Sequence, residues 1–514
     1  MSNNSGGIKK VPLYEKLGYG VGSIGKDMCY ALVGSFFLYY CTDNLGISAS
    51  FMGTLFFFAR LWDAFNDPLM GTIVDNTRNK FGKYRTWLAI GSVVNAFVLI
   101  MLFSAPDFLA GNPGLTKVYA STLYVLWGMS YTLVDVPYWS FVCVMTTDQR
   151  ERDVVSTIPR VFAGAGNLLT QVLTLKMITL IGKGDLQAGF QRWAIIIAVL
   201  FIGFMTITVS TIKERTIVKQ DKKFSLKDAI RTLKNNDQLM TIVLILILTN
   251  LAMNMTTGVA IYYFKYVWKD PLIYSSFAIV VGAAVAIGLV SYPFIAKKIA
   301  RRKIFIASMI MPSIGFVLMF VISKLVGIGA AEGPNIDITK ALIAFAVPAL
   351  VFCTGFGSIG VMTTVILADT VDYGEWKLGY RSESIVFSMQ TFMVKFATAI
   401  AGLVTGWGLS IAGYVSVNAD KTSTIGMDGR SAQAILDAAI AAQTNLSGVQ
   451  NALNIMMFAI PPVILITALI IYLKRYKLNG EFLNKVNEEL VVIRAKKNEE
   501  YDLLHKKTSD EISE

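Results

Sequence analysis

The sequence predicts an all-α membrane protein whose twelve transmembrane helices form two six-helix lobes. Apolar stretches of twenty or more residues recur along the 514-residue chain, and each can cross a bilayer core of roughly 30 Å as a helix. Only 16% of the residues are charged, against about 25% in soluble domains, and most occur in short clusters between these stretches. A longer charged segment after the sixth stretch divides the chain in half.

The expected spans follow one another with short connections. The start of the chain lacks the charge, short apolar core and small cleavage residues of a signal peptide, so the first span is expected to remain a helix. The fourth and eleventh spans are long enough to tilt or to break. In order, the spans cover residues 17–41, 48–74, 86–105, 118–146, 158–182, 191–212, 239–266, 272–296, 304–325, 341–367, 384–415 and 450–473.

Lysine and arginine are distributed unevenly among the connecting loops. Residues 213–237 hold eight basic and four acidic residues, whereas the loop TDNLGISAS after the first span has no basic residue. The positive-inside rule therefore places the basic loops and both termini in the cytoplasm. Within the central loop, FSLKDAIRTL is expected to be a short amphipathic helix with a capping box from Ser225 to Asp228. The expected units are an N-terminal lobe (1–212), a cytoplasmic loop (213–238), a C-terminal lobe (239–473) and a cytoplasmic tail (474–514).

The distribution of the net charge of +12 favours membrane lipid as the partner rather than nucleic acid. The lone histidine, His505, lies in the tail, and the four cysteines show no metal-ligand spacing. No nucleophile–base set, phosphate loop or metal-ligand cluster is recognisable. The sequence therefore predicts a transporter rather than an enzyme, without a cofactor, and leaves its oligomeric state open.

The second span contains the most informative charges. An ionised side chain at the middle of the bilayer costs about 2.5–3.5 kcal/mol on insertion scales, so its presence needs a reason. In RLWDAFNDPLMG (60–71), Asp63, Asn66 and Asp67 are spaced to share one helix face. Pro68 cannot donate a hydrogen bond to the carbonyl four residues earlier, which leaves another oxygen available. This oxygen-rich face suits Na⁺, Li⁺ or a proton.

Structural ion pairing is the alternative explanation for these acids. Arg60 could neutralise Asp63, and Lys26 or Lys395 could neutralise another acid. Both explanations can hold in different states of one cycle.

A second cluster, in YTLVDVPYWS (131–140), combines Asp135 with Tyr138 and Trp139. A carboxylate can accept hydrogen bonds from two sugar hydroxyls, and an aromatic face can cover the apolar side of a sugar ring. Ordinary packing or an interfacial aromatic belt is the alternative for the two aromatic residues.

Four segments together resemble the glycoside–pentoside–hexuronide:cation symporters of the major facilitator superfamily, and within that family the melibiose:sodium permease type. The order and spacing of the segments are specific, and the resemblance runs from about residue 13 to 490. The segments are KLGYGVGSIGKDMCYALVGSFFLYYCTD, ARLWDAFNDPLMGTIVDNTRNKFGKYRTW, YTLVDVPYWS and LADTVDYGEWKLGYRSESIVFSMQTFMVK.

The resemblance implies alternating access between two lobes and assigns roles to residues. The implied cation-binding residues are Asp63, Asn66, Asp67 and Thr132, with Asp63 and Asp67 as the metal ligands. The implied sugar-binding residues are Lys26, Asp27, Asp135, Trp139, Arg160, Gln390, Thr391 and Lys395. The implied cytoplasmic gate, in which glycines allow close helix approach and charge pairs break on opening, comprises Gly71, Asp75, Gly82, Lys83, Arg85, Asp369, Asp372 and Arg381.

The chain differs from melibiose permeases in the tenth span, where Gly360 replaces their tryptophan and changes the shape of the cavity. The retained pair of Lys26 and Asp27 favours a galactoside. The expected function is therefore import of a melibiose-like galactoside with Na⁺, Li⁺ or H⁺ across a bacterial cell membrane. The alternatives are a proton-coupled carrier of another glycoside (a β-glucoside, xyloside or glucuronide) or of an amphipathic lipid, and a non-transporting sugar sensor.

Overall fold

A computed structural model describes most of the chain, and the described residues form helices and connecting turns without a β-strand. The described residues are 11–77, 79–109, 111–146, 149–183, 185–214, 234–325, 338–379, 383–415, 440–441, 443, 445–493 and 495. The expected helix from Ser225 to Asp228 lies outside them.

Each expected span corresponds to one long helical segment in the described part of the chain. Eight helices are long and apolar enough to cross a membrane by length and composition, and α1 and α2, which carry most of the expected site charges, are not among these eight. The segments are α1 (Leu13–Asp43), α2 (Ala49–Asn76), α3 (Lys83–Leu102), α4 (Pro113–Ser140), α5 (Gln149–Gly182), α6 (Leu186–Thr211), α7 (Asp237–Tyr266), α8 (Ile273–Ala296), α9 (Arg301–Leu325), α10 (Ile338–Leu378), α11 (Glu383–Ile411) and α12 (Leu446–Arg475).

Asparagine and aspartate side chains fix the start of four of these helices. The carboxamide or carboxylate oxygens of Asn112, Asp185, Asn236 and Asn445 accept hydrogen bonds from backbone amides of the first turns of α4, α6, α7 and α12. Such caps satisfy amide groups that have no partner within the helix. They also place the helix starts at defined positions in the sequence.

Proline explains where two segments change their course. Pro137 lies inside α4, which ends three residues later and is followed by a short helix, Val142–Met145. Segment α12 contains a π-helical turn, Ile455–Ala459, directly before Pro461 and Pro462. Each proline removes a backbone hydrogen bond. The fourth span therefore breaks, as expected, whereas α11 is continuous from Glu383 to Ile411.

The contacts within the two halves of the chain repeat each other. In the first half, α1 packs against α5 and α6, α3 against α4 and α6, and α2 against α4. In the second half, α7 packs against α11 and α12, α9 against α10 and α12, and α8 against α10. Each contact in one half thus has its counterpart six helices later, which supports the predicted duplication.

Two related seams join the halves, α2 with α11 and α5 with α8. At the first seam Gly53 and Gly406 bring the backbones together, because a Cβ atom on Gly406 would overlap the carbonyl oxygen of Ala49. At the second seam the Tyr274 hydroxyl of α8 lies 3.4 Å from the Gln171 amide oxygen of α5. These contacts lie toward the end of the molecule opposite the basic loops.

The tail begins with a helix over residues 480–493. Its buried Val486 and Leu490 face the C-terminal lobe, and the Trp376 indole of α10 donates a hydrogen bond to Glu489 (2.6 Å). The tail is therefore partly helical, as the sequence predicts.

Candidate functional site

The acids of α2 share a helix but have different partners. The carboxylate of Asp63 accepts a hydrogen bond from Arg60 Nη1 at 3.1 Å, and both side chains are about nine-tenths buried. The Arg60 guanidinium also lies 5.5 Å from the centre of the Tyr30 ring of α1. The predicted alternative, in which Arg60 neutralises Asp63, is thus present in this conformation.

Asp67 connects the two halves of the molecule. Its Oδ1 accepts a hydrogen bond from the Thr132 hydroxyl of α4 (3.1 Å), and its Oδ2 forms an ion pair with Lys395 of α11. Both members of the ion pair remain about a quarter exposed. The predicted cation ligands Asp67 and Thr132 therefore meet, and an ammonium group from the opposite half is bound where a coupling ion is expected.

The remaining space around these acids is small. A cavity of about 10 Å³ lies beside Asp63, between Arg60 and the Tyr124 and Trp127 rings, which is room for at most one water molecule. The buried Nδ2 atom of Asn66 has no hydrogen-bond partner among the described residues. An amide donor aimed at no protein acceptor suits water or a polar ligand.

The second cluster is built around Lys26, which is only 2% exposed. Its ammonium group lies 2.6 Å from Asp135 Oδ1, 3.0 Å from the Tyr131 hydroxyl and 3.5 Å from Asp27 Oδ2. Burying an ion costs several kcal/mol unless partners compensate, and these three oxygens supply that compensation. The structure therefore brings α1 and α4 together through Lys26.

An aromatic wall borders this cluster. The Trp139 indole donates a hydrogen bond to Asp135 Oδ1 (3.1 Å), and its ring lies 5.2 Å from Lys26 Nζ. Tyr138, by contrast, is fully buried and stacks on Tyr19, so it has the packing role that was the alternative for it. Asp27 Oδ2 is buried without a hydrogen-bond partner among the described residues. An unpartnered acceptor beside a wall that holds an indole suits a sugar hydroxyl.

The other expected sugar residues lie on helices that border this region. Arg160 is exposed on α5, one residue after Pro159, whose carbonyl accepts a hydrogen bond from Ser23 of α1. Gln390 is half-buried on α11, and the Thr391 side chain lies outside the described residues. Gly360 on α10 is exposed, and a Cβ atom there would meet nothing within 4 Å.

Three of the expected gate residues, Gly82, Lys83 and Arg85, surround a helix start in this structure. The Glu214 carboxylate accepts hydrogen bonds from the backbone amides of Lys83, Tyr84 and Arg85, which begin α3. Gly82 has a φ of 110° and no room for a Cβ atom, which would lie 2.7 Å from Glu214 Oε1. The Arg85 guanidinium donates to the Val209 carbonyl. These described contacts stay within the N-terminal lobe.

The rest of the expected gate is described in part. A Cβ atom on Gly71 would meet nothing within 4 Å, so no close helix approach exists there in this conformation. Asp369 pairs with Arg301 of its own lobe at 3.6 Å, and Asp372 is half-buried. The Asp75 side chain and Arg381 lie outside the described residues.

Sequence reasoning missed Tyr131 and Glu214. Tyr131 is four residues before Asp135, so helical spacing alone would have placed its hydroxyl on the face of that acid. Glu214 caps a helix 130 residues earlier in the chain, and no local pattern indicates such a pairing.

Comparison with known proteins agrees with this architecture. The sequence profile described as "MFS/sugar transport protein" matches residues 18–480. The chain is 29% identical to the isoprimeverose transporter of Lactiplantibacillus pentosus, over 81% of this chain and 84% of that protein. It is 27% identical to the putative glycoside/cation symporter YagG of Escherichia coli, over 96% of this chain and 98% of that protein.

Solved structures support the same fold. The crystal structure of the nucleoside transporter NupG has a TM-score of 0.60 at 13% identity, covering 89% of this chain and all of that one, a likeness in fold alone. The profile match covers most of the chain, and its relatives are membrane transporters. The protein is thus a multi-pass membrane protein that belongs to the MFS/sugar transport protein family.

Proposed function

We propose that this protein is a sugar:cation symporter that imports a melibiose-like galactoside together with Na⁺, Li⁺ or H⁺ by alternating access. In this proposal Asp63, Asn66, Asp67 and Thr132 form the cation site. The sugar contacts residues of the Lys26 cluster, with Arg160, Gln390, Thr391 and Lys395 completing the cavity.

The charge balance of the site is the observation that carries the proposal. Four acids (Asp27, Asp63, Asp67 and Asp135) accompany three cations (Lys26, Arg60 and Lys395), so 3 − 4 leaves one negative charge. A buried charge without a partner is costly, and one monovalent cation or proton neutralises it. The site therefore suits one coupling ion.

The geometry suggests how the ion acts on the sugar site. A cation at Asp67 competes with Lys395 for the same carboxylate. Once displaced, the Lys395 ammonium can turn toward Asp135, which also lies near it. Thr132 and Asp135 are three residues apart on α4, so they share a helix face and couple the two sites through one turn.

The sugar then completes the pairing of the acids. Its hydroxyls donate to Asp27 and Asp135, and its apolar face packs on Trp139. The loaded carrier has no unpaired charge, and in this state it changes its open side. Linkage requires that sugar and cation raise each other's affinity by the same factor.

The decisive experiment measures sugar binding to the purified protein. Melibiose and a β-glucoside are titrated in choline buffer, then with Na⁺, with Li⁺ and over a range of pH. The proposal expects the affinity for melibiose to rise severalfold with Na⁺ or Li⁺. Binding that ignores both metal ions but follows pH would assign the acids to proton transfer, and an absence of any cation effect would refute coupling.

A second candidate keeps the mechanism and changes the sugar. A relative named isoprimeverose transporter and the open space at Gly360 both favour a glycoside of another shape. A proton-coupled carrier of a xyloside, β-glucoside or glucuronide would fit the same acids. Competition by a panel of glycosides against the bound sugar distinguishes these cargoes.

A further inference from the structure

A buried polar cluster at the end opposite the basic loops has no role in the sugar or cation site. It consists of Thr42 and Asp43 from the end of α1, Tyr262, Lys265 and Tyr266 from the end of α7, and Tyr414, which follows α11. We call it the outer latch. The positive-inside rule places this end outside the cell.

The Asp43 carboxylate is the centre of the outer latch. Its side chain is only 1% exposed, and it forms an ion pair with Lys265. The Tyr266 hydroxyl donates to Oδ1 at 2.9 Å, and the Tyr414 hydroxyl donates to Oδ2 at 2.7 Å. Thr42 adds a hydrogen bond to Oδ2 and lies 2.9 Å from the Tyr262 hydroxyl.

These partners come from opposite halves of the molecule. Thr42 and Asp43 belong to the first half, whereas the three tyrosines and Lys265 belong to the second. A buried pair of this kind holds only while both halves enclose it, because its members would be solvated separately once the halves part. The glycine seam between α2 and α11 is closed at the same end.

We propose that the outer latch holds the extracellular side of the carrier closed, and that separating Asp43 from Lys265 opens it. The outer latch acts on the change of open side and not on sugar or cation recognition. It therefore depends on alternating access, but not on which sugar or ion is carried.

The test uses Cys41 as a reporter. Cys41 lies two residues before Asp43, is fully buried and is close to the Tyr262 hydroxyl. In a variant whose other cysteines (Cys29, Cys143 and Cys353) are alanine, a membrane-impermeant maleimide is added outside intact cells. The rate of Cys41 labelling then reports opening at this end.

We expect Asp43→Asn to raise that rate at least about tenfold, because the closed state would then bury Lys265 without its counter-charge. Lys265→Gln should act in the same direction, and the double variant should not exceed the faster single one, since both remove one interaction. Tyr414→Phe loses a single hydroxyl and should raise the rate severalfold.

The control is Lys377→Gln, which breaks an exposed ion pair with Asp237 inside the C-terminal lobe at the opposite end. Its labelling rate should equal that of the parent. Sugar binding and monodisperse elution establish that each variant is folded, and Tyr414→Phe decides the question if Asp43→Asn fails to fold. Parental labelling rates in the folded outer-latch variants would overturn the proposal. Faster labelling in a protein without cation-dependent sugar binding would leave it standing and refute only the proposed function.

Discussion

Asp63 and Asp67 lie one helical turn apart, yet their surroundings assign them different tasks. Asp63 has a buried partner on its own helix, whereas Asp67 has a half-buried partner on the opposite lobe. A pair within one helix can persist through a rigid-body motion of the lobes. A pair between lobes is exchanged when the lobes move, so Asp67 is the acid placed to respond to the cycle.

We predict that Asp63→Asn destabilises the protein more than Asp67→Asn. It leaves the Arg60 guanidinium buried without a counter-charge, which costs about 3–5 kcal/mol for a buried pair. Thermal unfolding in detergent measures the difference as a lower melting temperature. The double variant Arg60→Met, Asp63→Leu is the control and should regain most of the loss. Equal melting temperatures for the two single variants would contradict this assignment.

The indole of Trp139 gives a second prediction at this scale. Trp139→Phe keeps a ring beside Lys26 but removes the hydrogen bond to Asp135, and bonds to charged groups contribute about 1.5–3 kcal/mol. We expect sugar affinity to fall about tenfold or more in titration calorimetry, with a further loss in Trp139→Ala. An affinity unchanged in Trp139→Phe would mean that only the ring matters.

The residue chemistry could be predicted in part from the sequence. Charged residues in apolar runs identify Lys26, Asp63, Asp67 and Lys395, because burying them needs a reason. Which base pairs with which acid could not be predicted, since Asp67 and Lys395 are 328 residues apart. Lys265 was a missed signal: a lone lysine in the aromatic run IYYFKYVW also requires a partner.

Among the elements, the crossing of α2 and α11 depends on backbone contact. We predict that Gly406→Ala prevents this approach, because its Cβ atom would overlap a carbonyl oxygen that cannot move without α2. Sugar uptake in cells should fall at least about tenfold, while Gly203→Ala, at an exposed position with open space, should leave uptake unchanged. Full uptake by Gly406→Ala would show that the seam is compliant.

The existence of each helix followed from its run of apolar residues, but several ends did not. Helix α5 begins at Gln149, nine residues before the predicted start, because the polar first turns of this helix precede the apolar run. Capping residues such as Asn112 and Asp185 lie just outside the hydrophobic periodicity. The φ of Gly82 likewise depends on Glu214, which local sequence does not reveal.

At the scale of the whole molecule, Lys395 links the cation site to the relation between the lobes. We predict that Lys395→Met tightens cation binding severalfold, because Asp67 loses its competing ammonium group. The same change should abolish the effect of the cation on sugar affinity, which titrations of each ligand with and without the other measure. Lys395→Arg, which keeps the charge, is the control. Cation affinity equal to that of the parent would exclude competition at Asp67.

The two-lobed arrangement was predictable because the basic loops after the second and eighth spans occupy equivalent positions. The repeated helix contacts agree with that expectation. The conformation was not predictable, since one sequence must encode both the inward- and outward-open arrangements of a carrier. The structure therefore adds which end is closed and which pairs join the lobes.

The ion pair between Asp67 and Lys395 bears on the half of the cycle in which nothing is carried. A carrier that returned empty with a bare carboxylate would have to move an uncompensated charge through the bilayer. Here the ammonium of the opposite lobe takes the place of the absent ion, so the empty protein can reset. On the proposed mechanism, a carrier that holds the ion without its sugar has displaced that ammonium and is not reset, which limits the leak of ions.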